Sequence, residues 1–183
     1  MSLPFDEAKA TQLAARILSK RGGQMHYIKL LKLMYLVDRE ALLRWGIPVS
    51  TDKYVSMDNG PVLSRVLNLI TEEMPKPQWS QFISPPMGDY EVTLLNPPQT
   101  DRLSRAEEKL IDEVYEKYGH WNRWKLIEDV MHKFPEWEHP QGSSKPLPIR
   151  AILKAGGESE EEIKATLKEL EAVRYAEETF SRA

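Results

Sequence analysis

The residue in this chain whose surroundings most demand chemistry is Asp38. If Tyr27 to Trp45 winds at about 3.6 residues per turn, then Tyr27, Leu30, Leu31, Met34, Val37, Ala41, Leu42 and Trp45 share one apolar face. Asp38 falls near the middle of it. A carboxylate there must collect hydrogen-bond donors or a cation, or else stay protonated, because burying it bare costs several kcal/mol. Candidate partners follow in the chain: Thr51, Lys53, Tyr54 and the turn Asp58-Asn59-Gly60-Pro61. Two readings stay open, that Asp38 braces this turn from inside or that it belongs to a functional polar pocket.

Other reactive side chains are not arranged for catalysis. The histidines, His26, His120, His132 and His139, form no HExxH motif or close ligand pair, so no metal site is expected. Gly22-Gly23 sits between helical stretches rather than after a strand, which gives no phosphate loop. No serine stands in a nucleophile-elbow context. No enzymatic activity and no cofactor are expected. Trp121, Trp124, Tyr115 and Tyr118 follow a helical period and read as core, whereas Trp137 lies in a polar loop between Pro135-Glu136 and Glu138. An aromatic in that setting suits a partner anchor whose loss weakens binding with little effect on folding.

The elements that must position these residues are read next. From Phe5 to Lys20 the periodicity predicts a helix, stopped by Gly22-Gly23. The central helix follows; Ile28, Leu33, Leu36 and Leu43 lie outside its apolar stripe, so Lys29, Lys32, Arg39, Glu40 and Arg44 form a polar ridge, and the helix is contacted from more than one side. Gly46 caps it, and Thr51 to Met57 reads as extended. Gly60-Pro61 is expected to open another helix, with Val62, Val66, Leu69 and Ile70 on its buried side. Trp79 to Ile83 and Tyr90 to Leu95 read as a loose hairpin.

Farther on, Ser104-Arg105-Ala106-Glu107 is a capping box heading a helix that carries Leu110, Ile111, Val114 and Tyr115. Trp121 to Phe134 predicts a further helix, and Glu136 to Pro148 reads as loop. A short helix over Ile149 to Ala155 precedes a second capping box, Ser159 to Glu162, and an acidic helix over about 159–180. The fold class expected is mainly α: one compact helical domain, residues 1–183, around a central apolar helix with a small β-hairpin or sheet inserted.

With 183 residues, 41% apolar and 29% charged, the chain has the composition of a globular domain. Its net charge of -3 argues against a life spent mainly on nucleic-acid phosphates. It has no cysteine, which excludes disulfides and thiolate metal sites and is compatible with a reducing, cytoplasmic setting. No export signal is seen in MSLPFDEAKA, and no run approaches the roughly eighteen apolar residues a membrane helix needs.

Three blocks in order carry a family resemblance: Leu30-Leu31-Lys32-Leu33-Met34-Tyr35-Leu36-Val37-Asp38-Arg39-Glu40, then Asp52-Lys53-Tyr54-Val55-Ser56-Met57, then Gly60-Pro61-Val62. Later matches are Ser104 and Glu107 into Tyr115, Tyr118 and Gly119, and His132-Lys133 before Pro135-Glu136-Trp137. Together they resemble the Panacea domain, the SocA-like antitoxin family. The resemblance implies a protein-binding antitoxin that neutralises a cognate toxin encoded by a neighbouring gene. Some relatives act as adaptors that hand the toxin to an ATP-dependent protease. It implies no catalytic residues. Asp38, Tyr54, Met57, Asn59, Gly60, Pro61 and His132 are the positions expected to scaffold recognition, with Trp137 as the anchor.

A second class of function is a winged-helix-like DNA reader using Lys29, Lys32, Arg39 and Arg44, although nucleic acid is the less expected partner for an acidic chain. The acidic tail helix is by default solvated, and it would also complement a basic toxin.

Overall fold

The computed structural model describes residues 3–180, so the first two residues of the stretch read for an export signal lie outside the described residues. Helix α1 (Glu7–Lys20) begins at Asp6, whose carboxylate accepts from the amide of Lys9 at 2.9 Å. Strand β1 (Gln24–His26) leads into α2 (Tyr27–Trp45), closed by Gly46 in the left-handed conformation at φ 72°. Strands β2 (Tyr54–Met57) and β3 (Gly60–Leu63) form a hairpin followed by α3 (Ser64–Thr71). After the helical turn α4 (Trp79–Phe82) and strand β4 (Glu91–Thr93) come α5 (Arg105–Tyr118), α6 (Arg123–Asp129) and a 3-10 turn (Met131–Lys133). Strand β5 (Lys145–Leu147), α7 (Ile149–Ala155) and α8 (Glu160–Phe180) complete the chain.

The architecture is mainly α, with two small antiparallel sheets among the described residues. One pairs β1 with β4; the other has the order β3-β2-β5. Helix α2 packs against α1, α5, α6, α7 and β3, and its buried residues include Leu30, Leu31, Leu33, Met34, Leu36, Val37 and Leu42. Both capping boxes form: the Glu107 amide donates to Ser104 Oγ at 3.2 Å and that of Glu162 to Ser159 Oγ at 3.3 Å.

Several expectations are corrected. Gly60-Pro61 does not open a helix. Pro61 lies opposite Ser56 on an edge strand, where its missing N–H is tolerated, and α3 starts at Ser64 instead. That later start is set by Asp52, which accepts from the amides of Arg65 at 3.0 Å and Val66 at 2.9 Å and so caps the helix from across the chain. The expected hairpin after Trp79 survives only as bridges, Ile83 to Leu94 and Met87 to Glu91, because β4 finds its full partner in β1. The loop over Glu136 to Pro148 contains β5, which pairs with β2. The helix expected over Trp121 to Phe134 is α6 and the 3-10 turn, and Trp124 is 53% exposed. Trp45, expected in the core, is the last residue of α2 and is 41% exposed.

The largest correction concerns the ridge of α2. Lys32 is 1% exposed and Lys29 6%, so neither faces solvent. Both lie in a helix surrounded on all sides, and each ammonium ends on a backbone carbonyl: Lys32 Nζ donates to Pro61 at 3.0 Å and Lys29 Nζ to Gly119 at 2.6 Å.

Candidate functional site

Four side chains of α2 hold the hairpin and the loop beside it. Lys32, Tyr35 and Arg39 are spaced by three and four residues and share one side of the helix, with Asp38 next to them. Asp38 is completely buried and accepts from the amides of Val49 at 3.0 Å and Ser50 at 2.8 Å, from the Ser50 hydroxyl, and from the Tyr54 hydroxyl at 2.9 Å. Burial pushes its carboxyl up to about 6 against the lowering effect of these donors. The same burial, with Asp38 beside it, raises the Tyr54 hydroxyl well above the usual tyrosine value. Asp38 thus braces the crossing segment that enters β2. The expected bond to the turn at 58–61 is absent, and of the partners named from sequence only Tyr54 reaches it.

The turn itself is held from the loop that follows the 3-10 turn. His132 Nε2 lies 2.9 Å from the carbonyl of Asp58, which can only accept, so this nitrogen carries the proton. Trp137 Nε1 donates to the carbonyl of Met57 at 2.9 Å, and its indole stacks on His132 at 4.2 Å between centroids. The amide of Gly142 donates to Asp58 Oδ1 at 3.3 Å. Gly60 has φ 97°, and a Cβ built there would lie 2.5 Å from Met131 Cβ, so glycine is required for the backbone angle and for the approach.

The loop is tied back to α2 by Glu136. Its buried carboxylate accepts from Tyr35 Oη at 2.9 Å and Arg39 Nε at 2.6 Å, while the Arg39 guanidinium lies 4.1 Å from the centre of the Phe134 ring. The structure therefore brings all the named positions together: Asp38 and Tyr54 at the base of the hairpin, Met57, Asn59, Gly60 and Pro61 within it, and His132 and Trp137 against its tip. Trp137 is half-buried, with its indole N–H on the carbonyl of Met57 and its ring on His132.

Sequence reading assigned Lys32 and Arg39 to an exposed ridge and missed the roles of Tyr35, Ser50, Asp52 and Glu136. The available signal was the apolar circumference of α2, which leaves no solvent side for its cations. Glu136 offered no signal, since a carboxylate among prolines reads as exposed.

Beside the hairpin runs a groove of about 490 Å³, with one wall of Tyr27, Ile28, Leu31, Val62 and Leu67 and a polar side formed by Lys32, Asp58, Ser143 and Ser144. The exposed Asn59 and half-buried Met57 sit on its rim. This is a mainly helical domain that presents a braced hairpin and an adjoining apolar groove. The family described as antitoxin SocA-like, Panacea domain matches residues 30–138, more than half of the chain, and the protein belongs to that family. The match starts in α2 and ends just past Trp137, so it spans the whole hairpin with Asp38, His132, Glu136 and Trp137 but stops short of Gly142 and β5. No curated protein and no solved structure matches the chain. No described helix is long and apolar enough to cross a membrane.

Of the cations assigned to a DNA-reading surface, Lys29 and Lys32 are buried, Arg39 is bound to Glu136, and Arg44 is paired with Glu113 at 2.7 Å. That constellation offers no free stripe for phosphates.

Proposed function

We propose that this chain is an antitoxin that neutralises a partner toxin by direct binding, and that the toxin meets the hairpin tip and the groove beside it. The family match over residues 30–138 carries the antitoxin reading. The groove carries the choice of surface: its volume of about 490 Å³ and its apolar wall facing a polar one would accept an amphipathic segment of a partner, and the braced tip needs little ordering on contact. The reading assigns no reaction to the chain and places it in the cytoplasm beside a toxin encoded by an adjacent gene.

The test is co-expression of the neighbouring reading frame, with and without this chain, followed by copurification. Growth arrest by the neighbour, relieved by the chain, is expected, along with a stable complex. Asn59→Arg and Ser144→Arg, exposed positions at the rim and on the wall, should each weaken rescue while leaving the fold intact. A neighbour that is not toxic, or a complex indifferent to both substitutions while folding is normal, would remove the toxin or the surface from the proposal respectively.

A further inference from the structure

A second cleft, of about 210 Å³, lies where the end of α1, the start of α2 and the link from α5 to α6 meet, and it shares no lining residue with the groove at the hairpin. Its walls carry Arg21, Lys29 and Arg123 with the imidazoles of His26 and His120, against one carboxylate, Glu91. Glu91 is itself engaged by Gln24 Nε2 at 2.6 Å. Some cations elsewhere meet carboxylates, Lys9 with Glu107, Arg16 and Lys20 with Asp112, Arg39 with Glu136 and Arg44 with Glu113, while others spread over the surface, such as Lys109 and Lys168, form no ion pair among the described residues; what sets the cleft apart is that its cations line one concavity. Among the described residues Arg21, Lys29 and Arg123 have no such ion pair. In a chain of net charge -3 this concentration of positive charge is local.

Helix geometry explains part of it. Arg21 follows α1, and Lys29 caps α5 through the carbonyl of Gly119, both positions where a cation suits the helix dipole. That bond uses one of the three Lys29 donors, and the Arg123 guanidinium rests 5.0 Å from the centre of the Trp124 ring. The groups also repel one another. Burial and then Arg21 lower the Lys29 ammonium to about 8, and burial and then Arg123 depress the His26 imidazole against the raising effect of Asp89 and Glu91. A bound anion would offset the repulsive part of both shifts.

We propose that this cleft binds a compact polyvalent anion of phosphate type, inorganic or the phosphate end of a nucleotide, held by Arg21, Lys29 and Arg123. Guanidinium forks match phosphate oxygens in pairs, and the buried ammonium supplies a third direction of contact. The size agrees: about 210 Å³ lies below the roughly 300–1,000 Å³ of sites for drug-sized ligands, leaving room for a phosphate or diphosphate rather than an engulfed nucleotide. The inference does not rest on the antitoxin reading.

The experiment is calorimetric titration of the full chain at low ionic strength with inorganic phosphate, pyrophosphate and a nucleoside diphosphate. Saturable binding of pyrophosphate at one site is expected. The double variant Arg21→Gln and Arg123→Gln, at surface positions that leave the α5 cap in place, should weaken it by about tenfold or more. Lys168→Gln, an exposed cation on α8, should not change it. A nucleoside diphosphate that binds more tightly than pyrophosphate identifies a nucleotide ligand, and equal affinity identifies the free anion; either supports the site. Absence of saturable binding by all three, or equal weakening by Lys168→Gln and the double variant, would overturn it.

Discussion

Asp38 and Lys32 are both buried in α2, and each is shifted toward its neutral form, with opposite consequences for stability against pH. Burial raises the Asp38 carboxyl from 3.8 to about 6. Between those values the native chain holds a proton that the unfolded chain has released, so stability falls as pH rises through the window and levels above it. Urea unfolding of the wild type and Asp38→Asn should show a stability gap that shrinks from pH 4 to about 6; a flat gap would contradict the shift. At neutral pH Asp38→Ala should cost about 1–3 kcal/mol by stranding the donors of Val49, Ser50 and Tyr54, and an unchanged midpoint would deny its role as a brace. Lys32 runs the other way. Its ammonium is lowered from 10.5 to about 7 by burial, so from about 7 upward the unfolded chain holds the extra proton and stability rises with pH. Relative to Lys32→Met, the wild type should therefore gain stability between pH 7 and about 10, and a flat or falling trend would mean that the folded ammonium stays charged across this window.

At the level of elements, what was legible in the sequence and what was not divide along a physical line. Helices with local signals were readable: Gly46 after Trp45, the Ser104 and Ser159 capping boxes, and the apolar stripe of α5. The buried state of Asp38 was readable too, because the helical wheel fixes it without knowledge of any partner. Strands β1 and β5 were not, since three residues such as Lys145-Pro146-Leu147 carry no periodic signal and exist only through their partners β4 and β2. The capping of α3 by Asp52 and the capture of Glu136 by Tyr35 and Arg39 are non-local in the same way. The hairpin depends on such distant supports, and two glycines separate its requirements. Gly60→Ala meets both a positive φ and Met131 Cβ at 2.5 Å, whereas Gly142→Ala has φ 86° but nothing within 4 Å. The second should cost only the backbone strain, on the order of 1–3 kcal/mol, and the first clearly more. Equal melting temperatures for the two variants would mean that the 3-10 turn yields freely. Trp137→Phe keeps a ring over His132 but loses the bond to the carbonyl of Met57, so a loss of about 1 kcal/mol is expected.

For the whole molecule the question is how much of the chain the hairpin needs. The family match ends at residue 138, yet β5 completes the sheet that contains β2, and Leu147, Ile152, Leu153 and Ile163 beyond it are buried in the same core as α2. Burying each such side chain contributes about 1.5–3 kcal/mol. Together they rival the whole stability of an ordinary domain, about 5–15 kcal/mol, so the matched region is not self-sufficient. Gly156 shows how close the second half lies, since a Cβ there would come 2.1 Å from Leu43 Cδ2 on α2. Farther along α8 the support fades: Leu170 is buried, whereas Tyr175 and Phe180 are 73% and 80% exposed. Two truncations follow from this gradient. Removing residues 139–183 should abolish cooperative unfolding and leave a chain with exposed apolar surface, while removing 176–183 should shift the urea midpoint only slightly. A shorter chain that still melts cooperatively and still captures a partner would show that the hairpin stands without β5, and the braced tip would then owe its rigidity to α2 and the loop at 132–142 alone.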